Sequence, residues 1–204
     1  MNDVRAALRR IGGGDPGVRF DSDRFADAAL ARGILDVAYA TVESPLGPLV
    51  AAATRRGLVR LAYLASEDES IDSVLEDLAD TLSPRVLEAP SRLDEVRREL
   101  DEYFAGRRQT FDLPLDWSLV AGFHRSVLRT TARIPFGAVA SYGEVARRAG
   151  SPRAARAAGN ALAGNPVPIV VPCHRVVAAG GALGGYTGGL DRKRFLLDLE
   201  GVSI

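Results

Sequence analysis

The sequence predicts an α/β protein in two lobes: a small N-terminal lobe that opens with strands, then a mainly helical C-terminal lobe. Three observations predict it. From Val37 the apolar residues fall into short runs cut by turn signals, the pattern of strands. Beyond about Ser118 the period lengthens to that of helices and is punctuated by Gly and Pro. The charge also changes sign there. Residues 118–204 carry eleven Lys/Arg against four Asp/Glu, a surplus of +7, and the net charge of zero leaves −7 on the first 117 residues.

Residues 1–36 form an appendage to which the sequence assigns no role. Val4, Leu8 and Ile11 lie on one side of a short helical pattern that breaks at "GGGDPG". "SDRFADAALARG" reads as a second helix starting at a Ser or Asp cap. The opening residues lack the long apolar core of a secretion signal, and no apolar run reaches the roughly eighteen residues of a membrane span. The expectation is a cytoplasmic protein with no membrane partner. The presence of one lysine among twenty-six basic residues agrees with a high-GC bacterial coding sequence.

Residues 37–117 form the N-terminal scaffold. "VAYATVE", "PLVAAAT" and "LVRLAYL" are three strands joined by tight turns. "EDESIDSVLEDLADTL" and "SRLDEVRRELDEYFAG" follow as helices. In the second, Leu93, Val96, Leu100, Tyr103 and Phe104 recur at helical spacing. "QTFDLPLDW" is extended, either a further strand or a linker. No catalytic constellation stands out in this acidic lobe.

Residues 118–204 hold the chemistry. "AGFHRSVLRTTARI" is a helix with Phe123, Val127, Leu128 and Ile134 broadly on one face. Ser141 and Glu144 stand at capping-box spacing and open a helix that stops at Gly150. Ser151 as N-cap and Pro152 in the first helical position open the next, which ends at Gly164. Two short helices joined by a Gly-Ser-Pro turn in a basic lobe form a helix-turn-helix pattern. The second helix surrounds one long side chain, Arg156, with Ala154, Ala155, Ala157, Ala158 and Gly159. Such a helix offers base edges almost no hydrogen-bonding groups. It can approach a sugar–phosphate surface closely, or it can simply pack on the core. The charge split has the same two readings: a polyanion partner, or two lobes that attract each other.

The chain's one cysteine, Cys173, sits in "NPVPIVVPCHRVV" between Pro172 and His174. One cysteine excludes an internal disulfide framework and a Cys-rich zinc site, so a free thiol in a reducing compartment is expected. A thiol becomes a nucleophile as its thiolate. His174 supplies a base, Arg175 a positive charge, and Pro166, Pro168 and Pro172 stiffen the backbone as at a strand edge or pocket wall. Neighbours on an extended segment point to opposite sides, so a water relay between Cys173 and His174 is expected rather than a direct bond. "GGALGGYTGG" lacks the Gly-Lys-Ser/Thr of a phosphate loop. These residues alone leave Cys173 either an inert buried thiol or a nucleophile with His174 as its base, in a lobe that either binds DNA or does not.

From Ile134 to Gly201 the chain resembles the C-terminal domain of the O6-alkylguanine-DNA alkyltransferases. The resemblance rests on "PCHRV", the preceding "NP", the "AAR" helix, the "SY" helix start, and downstream "GGYTGG" and "LEG". It reaches back more weakly to "SPLGPL" at 44–49. It implies a ribonuclease-H-like first lobe and a winged-helix-like DNA-binding domain. It also implies a suicide repair reaction on duplex DNA bound through the minor groove. The damaged guanine is flipped out and its O6-alkyl group passes irreversibly to Cys173, once per chain, with O4-alkylthymine left open as a second substrate. Carried over by position, His174 is the water-linked base, Glu200 orients it, and Tyr142 donates to the departing guanine. Asn165 holds the active-site turn, and Arg156 fills the gap left by the base. Ala154, Ala155, Ala157, Gly159 and Tyr142 meet the DNA. Tyr186, Thr187, Val176 and Pro168 line the base pocket. No cofactor or metal is implied, and the protein is expected to act as a monomer. The chain departs from many members in having His124 and Leu128 where they have Gln and Trp, and Leu199 where they have His before the terminal Glu.

Overall fold

The computed structural model describes residues 28–29, 32–64 and 70–203. The first expected helix, around Val4 to Ile11, lies outside the described residues. Of the second, only Ala28 and Ala29 are described before the turn at Gly33, and both are helical.

The three expected strands form as read: β1 (Val37–Val42), β2 (Leu49–Thr54) and β3 (Gly57–Tyr63). They make an antiparallel meander, and β4 (Val86–Glu88) adds in parallel beside β1 to give the order β3-β2-β1-β4. β4 is only three residues long and carries no alternation that a reading of the sequence could detect. The β2–β3 turn needs glycine at position 57, where φ is +127° and a Cβ would stand 2.1 Å from the Pro114 carbonyl oxygen. That contact belongs to "QTFDLPLDW", which lies alongside β3. Leu58 N donates to Pro114 O (2.8 Å), and Asp116 N donates to Leu58 O (2.9 Å).

Both faces of the sheet are covered, which explains the near-continuous apolar strands. On one face Val37, Val50, Ala52 and Val59 pack with Val74 and Leu78 of α1 (Ile71–Thr81). Ser70 caps α1 by accepting from Ser73 N. On the other face Ala38, Ala40, Leu49, Leu58 and Leu61 join a core shared with Leu93, Val96, Leu100 and Tyr103. These last four lie on a 3-10 turn (Pro90–Leu93) and on α2 (Asp94–Phe104), at the helical spacing the sequence predicts. Fully burying each Leu or Val of this core contributes about 2 kcal/mol.

The C-terminal part packs into the same core. It comprises α3 (Gly122–Thr131), β5 (Ala140–Ser141), α4 (Tyr142–Arg148), α5 (Ala155–Ala163), β6 (Val176–Val177) and α6 (Leu190–Leu199). β5 and β6 pair in parallel, and α4 and α5 pack on each other and on α3. Ser141 caps α4 through Glu144 N (3.2 Å), but the Glu144 carboxylate turns to Arg148 and does not close the capping box. α5 begins at Ala155, three residues later than the Ser-Pro signal predicts. Its N-cap is Ala154, with no side-chain cap, because Ser151 to Ala154 close a tight turn (Ala154 N to Ser151 O, 3.0 Å). Among the described residues no helix is long and apolar enough to cross a membrane, and no group of three metal-binding side chains converges.

Candidate active site

The segment leading into Cys173 is neither strand nor helix; two successive tight turns build it. Val170 N donates to Pro168 O (2.9 Å) and Cys173 N to Val171 O (2.8 Å), each spanning one residue. The residue inside the first is Ile169, a β-branched residue at φ +71° that is fully buried. A β-branched side chain in this region costs on the order of 1–3 kcal/mol, so the surroundings must hold it. Asn165 does much of this. Its Oδ1 accepts from Val167 N (3.1 Å), and its Nδ2 donates to Val171 O (2.8 Å) and to the Cys173 thiol (3.2 Å). Pro166 O accepts from Leu61 N of β3 (2.8 Å), which ties the segment to the sheet.

Cys173, His174 and Arg175 then form a 3-10 turn, where an extended segment was expected. Proline-rich backbone cannot donate a strand ladder, and the two tight turns use the donors that remain. No direct Cys173–His174 hydrogen bond forms. His174 is fully buried, and its Nε2 lies 3.0 Å from Glu200 Oε1. Glu200, at the C-cap of α6, also accepts from Tyr103 Oη (2.7 Å), Arg175 Nε and Nη2 (2.8 Å each) and Gly137 N (3.3 Å). Arg175 Nη1 donates to Ile134 O (2.6 Å).

The electrostatics follow from this packing. Burial raises the Glu200 carboxyl, but the donors on His174, Arg175 and Tyr103 outweigh it and hold the group at about 2. Glu200 is therefore an acceptor-only carboxylate, which requires His174 to carry its proton on Nε2. Burial lowers His174 against the opposing pull of Glu200, so the ring is neutral at pH 7. Its Nδ1, left as a lone-pair acceptor, is buried and has no partner among the described residues. Burial pushes the Cys173 thiol up, with the Asn165 N–H and the Lys193 charge opposing. The thiol thus stays protonated until something removes its proton.

The glycine-rich loop closes the other side. Tyr142 Oη donates to Gly185 O (3.2 Å), Thr187 Oγ1 donates to Ala163 O (2.9 Å), and the hydroxyls of Tyr186 and Tyr63 pair at 2.9 Å. Burial raises the Tyr142 hydroxyl, keeping it a donor. Gly188 allows the tyrosine pair to form, since a Cβ there would meet the Tyr63 ring at 2.7 Å and the Tyr186 ring at 2.8 Å. Lys193 anchors the loop from α6. It is fully buried, and its ammonium donates to Val176 O (2.6 Å), Leu183 O (2.5 Å) and Gly185 O (3.3 Å). Burial lowers it to about 8.

Most of the expected site residues converge. Two cavities meet at Cys173. One, of about 280 Å³, is lined by Tyr142 and Gly159 as well as Tyr186 and Thr187. The other, of about 260 Å³, is lined by Asn165 and Pro168 and reaches the sheet at Leu61 and Tyr63. Val176 differs from expectation. It is fully buried in β6 and lines neither cavity. Arg156 and Ala157 are exposed on α5, and Ala154 and Ala155 partly so. Sequence reasoning missed Lys193, Tyr63, Tyr103 and the paired grip of Arg175 on Glu200. A solitary lysine in an arginine-rich chain was the available signal for the first. The two tyrosines come from a lobe with no local motif.

Comparison with known proteins gives one answer along the chain. The family model described as 6-O-methylguanine DNA methyltransferase, ribonuclease-like domain, matches residues 37–117, and the corresponding DNA binding domain matches 122–202. The chain is 40% identical over 166 residues to the constitutive methylated-DNA–protein-cysteine methyltransferase of Bacillus subtilis, covering 81% of this chain and 96% of that one. The crystal structure of the Mycobacterium tuberculosis O6-methylguanine methyltransferase superposes with a TM-score of 0.67 at 40% identity, over 80% of this chain and 92% of that one. A structure of the M. tuberculosis OGT in complex with DNA gives 0.66 at 38% identity, with the same coverage. The ordered turn around Cys173, the His174–Glu200–Arg175 cluster and these matches spanning both lobes lead to one conclusion: the chain belongs to the 6-O-methylguanine DNA methyltransferase family.

Proposed function

We propose that this protein repairs DNA by direct reversal, moving the alkyl group of O6-alkylguanine in duplex DNA onto its own Cys173. The observation that carries the proposal is a single buried thiol, held by Asn165, where two cavities meet beside a neutral imidazole with a free Nδ1. The alkyl carbon lies between Sγ and O6. As the C–S bond forms, the C–O6 bond breaks and its electron pair passes to the purine. The thiol proton goes to His174 Nδ1 through a bridging water, and the imidazolium that forms is stabilised by the Glu200 carboxylate beside Nε2. Tyr142 Oη, at the mouth of the cavity next to α5, supplies the proton that the departing guanine needs. The thioether has no leaving group for water to displace, so each chain reacts once.

The cavity on the α5 side admits a base only if it has left the duplex, which favours base flipping. Arg156, exposed among small residues, is placed to fill the vacated stack, and a helix of small residues suits a minor-groove approach with little sequence preference. Tyr186, Thr187 and Pro168 line the space around the base, with Asn165 fixing the turn. In this reading the lobes divide at 37–117 and 118–204, residues 1–36 are an appendage, O4-alkylthymine is a second substrate to be tested, and the protein acts as a monomer in the cytoplasm and nucleoid. Intact-protein mass spectrometry after mixing with a duplex carrying one O6-methylguanine tests the reaction. One added methylene per chain, mapped to Cys173 and stopping at one equivalent, is expected. Tight lesion binding at unchanged mass overturns it.

A further inference from the structure

Glu200 divides its two oxygens unequally. Oε2 accepts from Arg175 Nε (2.8 Å) and Gly137 N (3.3 Å). Oε1 meets three donors: Tyr103 Oη at 2.7 Å, Arg175 Nη2 at 2.8 Å and His174 Nε2 at 3.0 Å. A carboxylate oxygen offers about two lone pairs, so the three must share them. The shortest contact is the tyrosine's and the longest is the histidine's. The oxygen that holds the base is therefore also held by a neutral donor from the N-terminal lobe.

Tyr103 is fixed in that place. It stands on α2, fully buried, with its ring against those of Phe104 (5.4 Å between centres), Phe111 (5.3 Å) and Phe136 (6.2 Å). Burial and the neighbouring Glu200 charge push its hydroxyl up, so it remains a donor. A hydroxyl donating to a carboxylate draws charge from the accepting oxygen. Less of that charge then faces His174 Nε2, and an imidazolium there is held less tightly. The other charges acting on the ring are Arg175 of its own turn and Lys193 of α6, and both oppose protonation. The buried residues of α3, which also packs against the turn, are Val127, Leu128 and Thr131, none of them ionisable.

We infer that Tyr103 is a positioning residue for the transfer: by donating to Glu200 Oε1 it fixes the carboxylate against His174 and weakens its pull on the ring, so that His174 rests neutral with Nδ1 free. The inference rests on the transfer reaction proposed above and extends it. An imidazole that rested as imidazolium would have no lone pair on Nδ1 for the thiol proton. The N-terminal lobe thus keeps the base available and does not serve only as a scaffold. The transfer itself is unchanged, and Tyr103 keeps its own proton throughout.

Tyr103→Phe keeps the ring and removes the one donor. The pH half-maximum of methyl transfer from an O6-methylguanine duplex should rise by roughly half a unit to one unit, the size of shift that one ordinary hydrogen bond supplies. Proton and nitrogen-15 NMR of the DNA-free protein at pH 7 gives a readout that needs no transfer. The chain has two histidines, and the exposed His124 serves as the internal reference. In Tyr103→Phe the His174 Nε2 proton should move downfield as its bond to Oε1 strengthens, while His124 stays in place. In wild-type protein the Tyr103 hydroxyl proton should show a cross-peak to the His174 Nε2 proton, since both point at one oxygen; this readout does not depend on the variant folding. Slower transfer with an unmoved half-maximum makes Tyr103 a packing residue and overturns the inference. A half-maximum that moves down, an Nε2 proton that stays put or moves upfield, or a missing cross-peak overturns it too. Absence of methyl transfer in wild-type protein with both NMR results as expected would instead sink the proposed reaction.

Discussion

Replacing Glu200 with Gln removes one negative charge from a cluster that is almost wholly buried. Glu200 is 5% exposed, and its carboxylate accepts from Tyr103, His174, Arg175 and Gly137. Holding the group at about 2 against its ordinary 4.5 is worth about 3 kcal/mol of folding free energy at neutral pH. Loss of the charge also leaves Arg175, 6% exposed, without an ionised partner, although Ile134 O and the Phe136 ring stay beside it. Breaking a buried pair from one side costs about 3–5 kcal/mol, which includes that pairing and is not added to it. With a shift of about 2–4 °C per kcal/mol for a chain of this size, the melting temperature should fall by about 10 °C at pH 7.

The pH dependence separates this cause from simple misfit. The folded pKa is depressed, so the contribution is complete above 4.5 and is lost as pH falls toward 2. About 2 kcal/mol of it should be gone by pH 3. The wild-type and Glu200→Gln melting temperatures should therefore converge over that window. Scanning calorimetry of both proteins at pH 7, 5, 4 and 3 measures it. A difference below about 3 °C at pH 7, or one that stays constant down to pH 3, refutes the assignment of Glu200 as the ionised centre of the cluster.

Four further outcomes follow from the same geometry. Asn165→Ala removes the N–H that favours the thiolate, so the pH midpoint of Cys173 alkylation by iodoacetamide should move up; a downward or absent shift contradicts the contact. His174 is held below its ordinary 6.5, so the half-maximum of the methyl-transfer rate should lie below pH 6.5. A half-maximum at or above 6.5 would remove His174 as the base. Lys193→Met strands three carbonyls and should cost about 3 kcal/mol in urea unfolding, with faster hydrogen exchange at residues 183–186; protection equal to wild type would show that the ammonium is not the anchor. Arg156→Ala, at an exposed position, should leave the melting temperature within about 1 °C while slowing transfer from duplex DNA at least tenfold, and stopped-flow or quench kinetics would show equal rates if Arg156 is idle.

The sequence by itself determined the elements whose cause is local. The meander of β1 to β3 follows from apolar runs and turn residues, α2 from the spacing of Leu93, Val96, Leu100 and Tyr103, and the α4 cap from Ser141. It also singled out Cys173, His174 and Glu200, because a lone thiol beside a histidine and a set of ordered motifs are visible without folding. It did not reveal the late start of α5, the strained Ile169 or the 3-10 turn at Cys173, since each depends on which backbone donors the neighbouring turns have already used. Nor did it reveal that Tyr63, Tyr103, Arg175 and Lys193 belong to the site. Tyr63 and Tyr103 lie 110 and 70 residues before the thiol, and only the shared core brings their rings and hydroxyls to it. Local pattern fixes what a segment can become. Which charges are buried together, and hence which groups titrate and react, is a long-range property that tertiary packing alone decides.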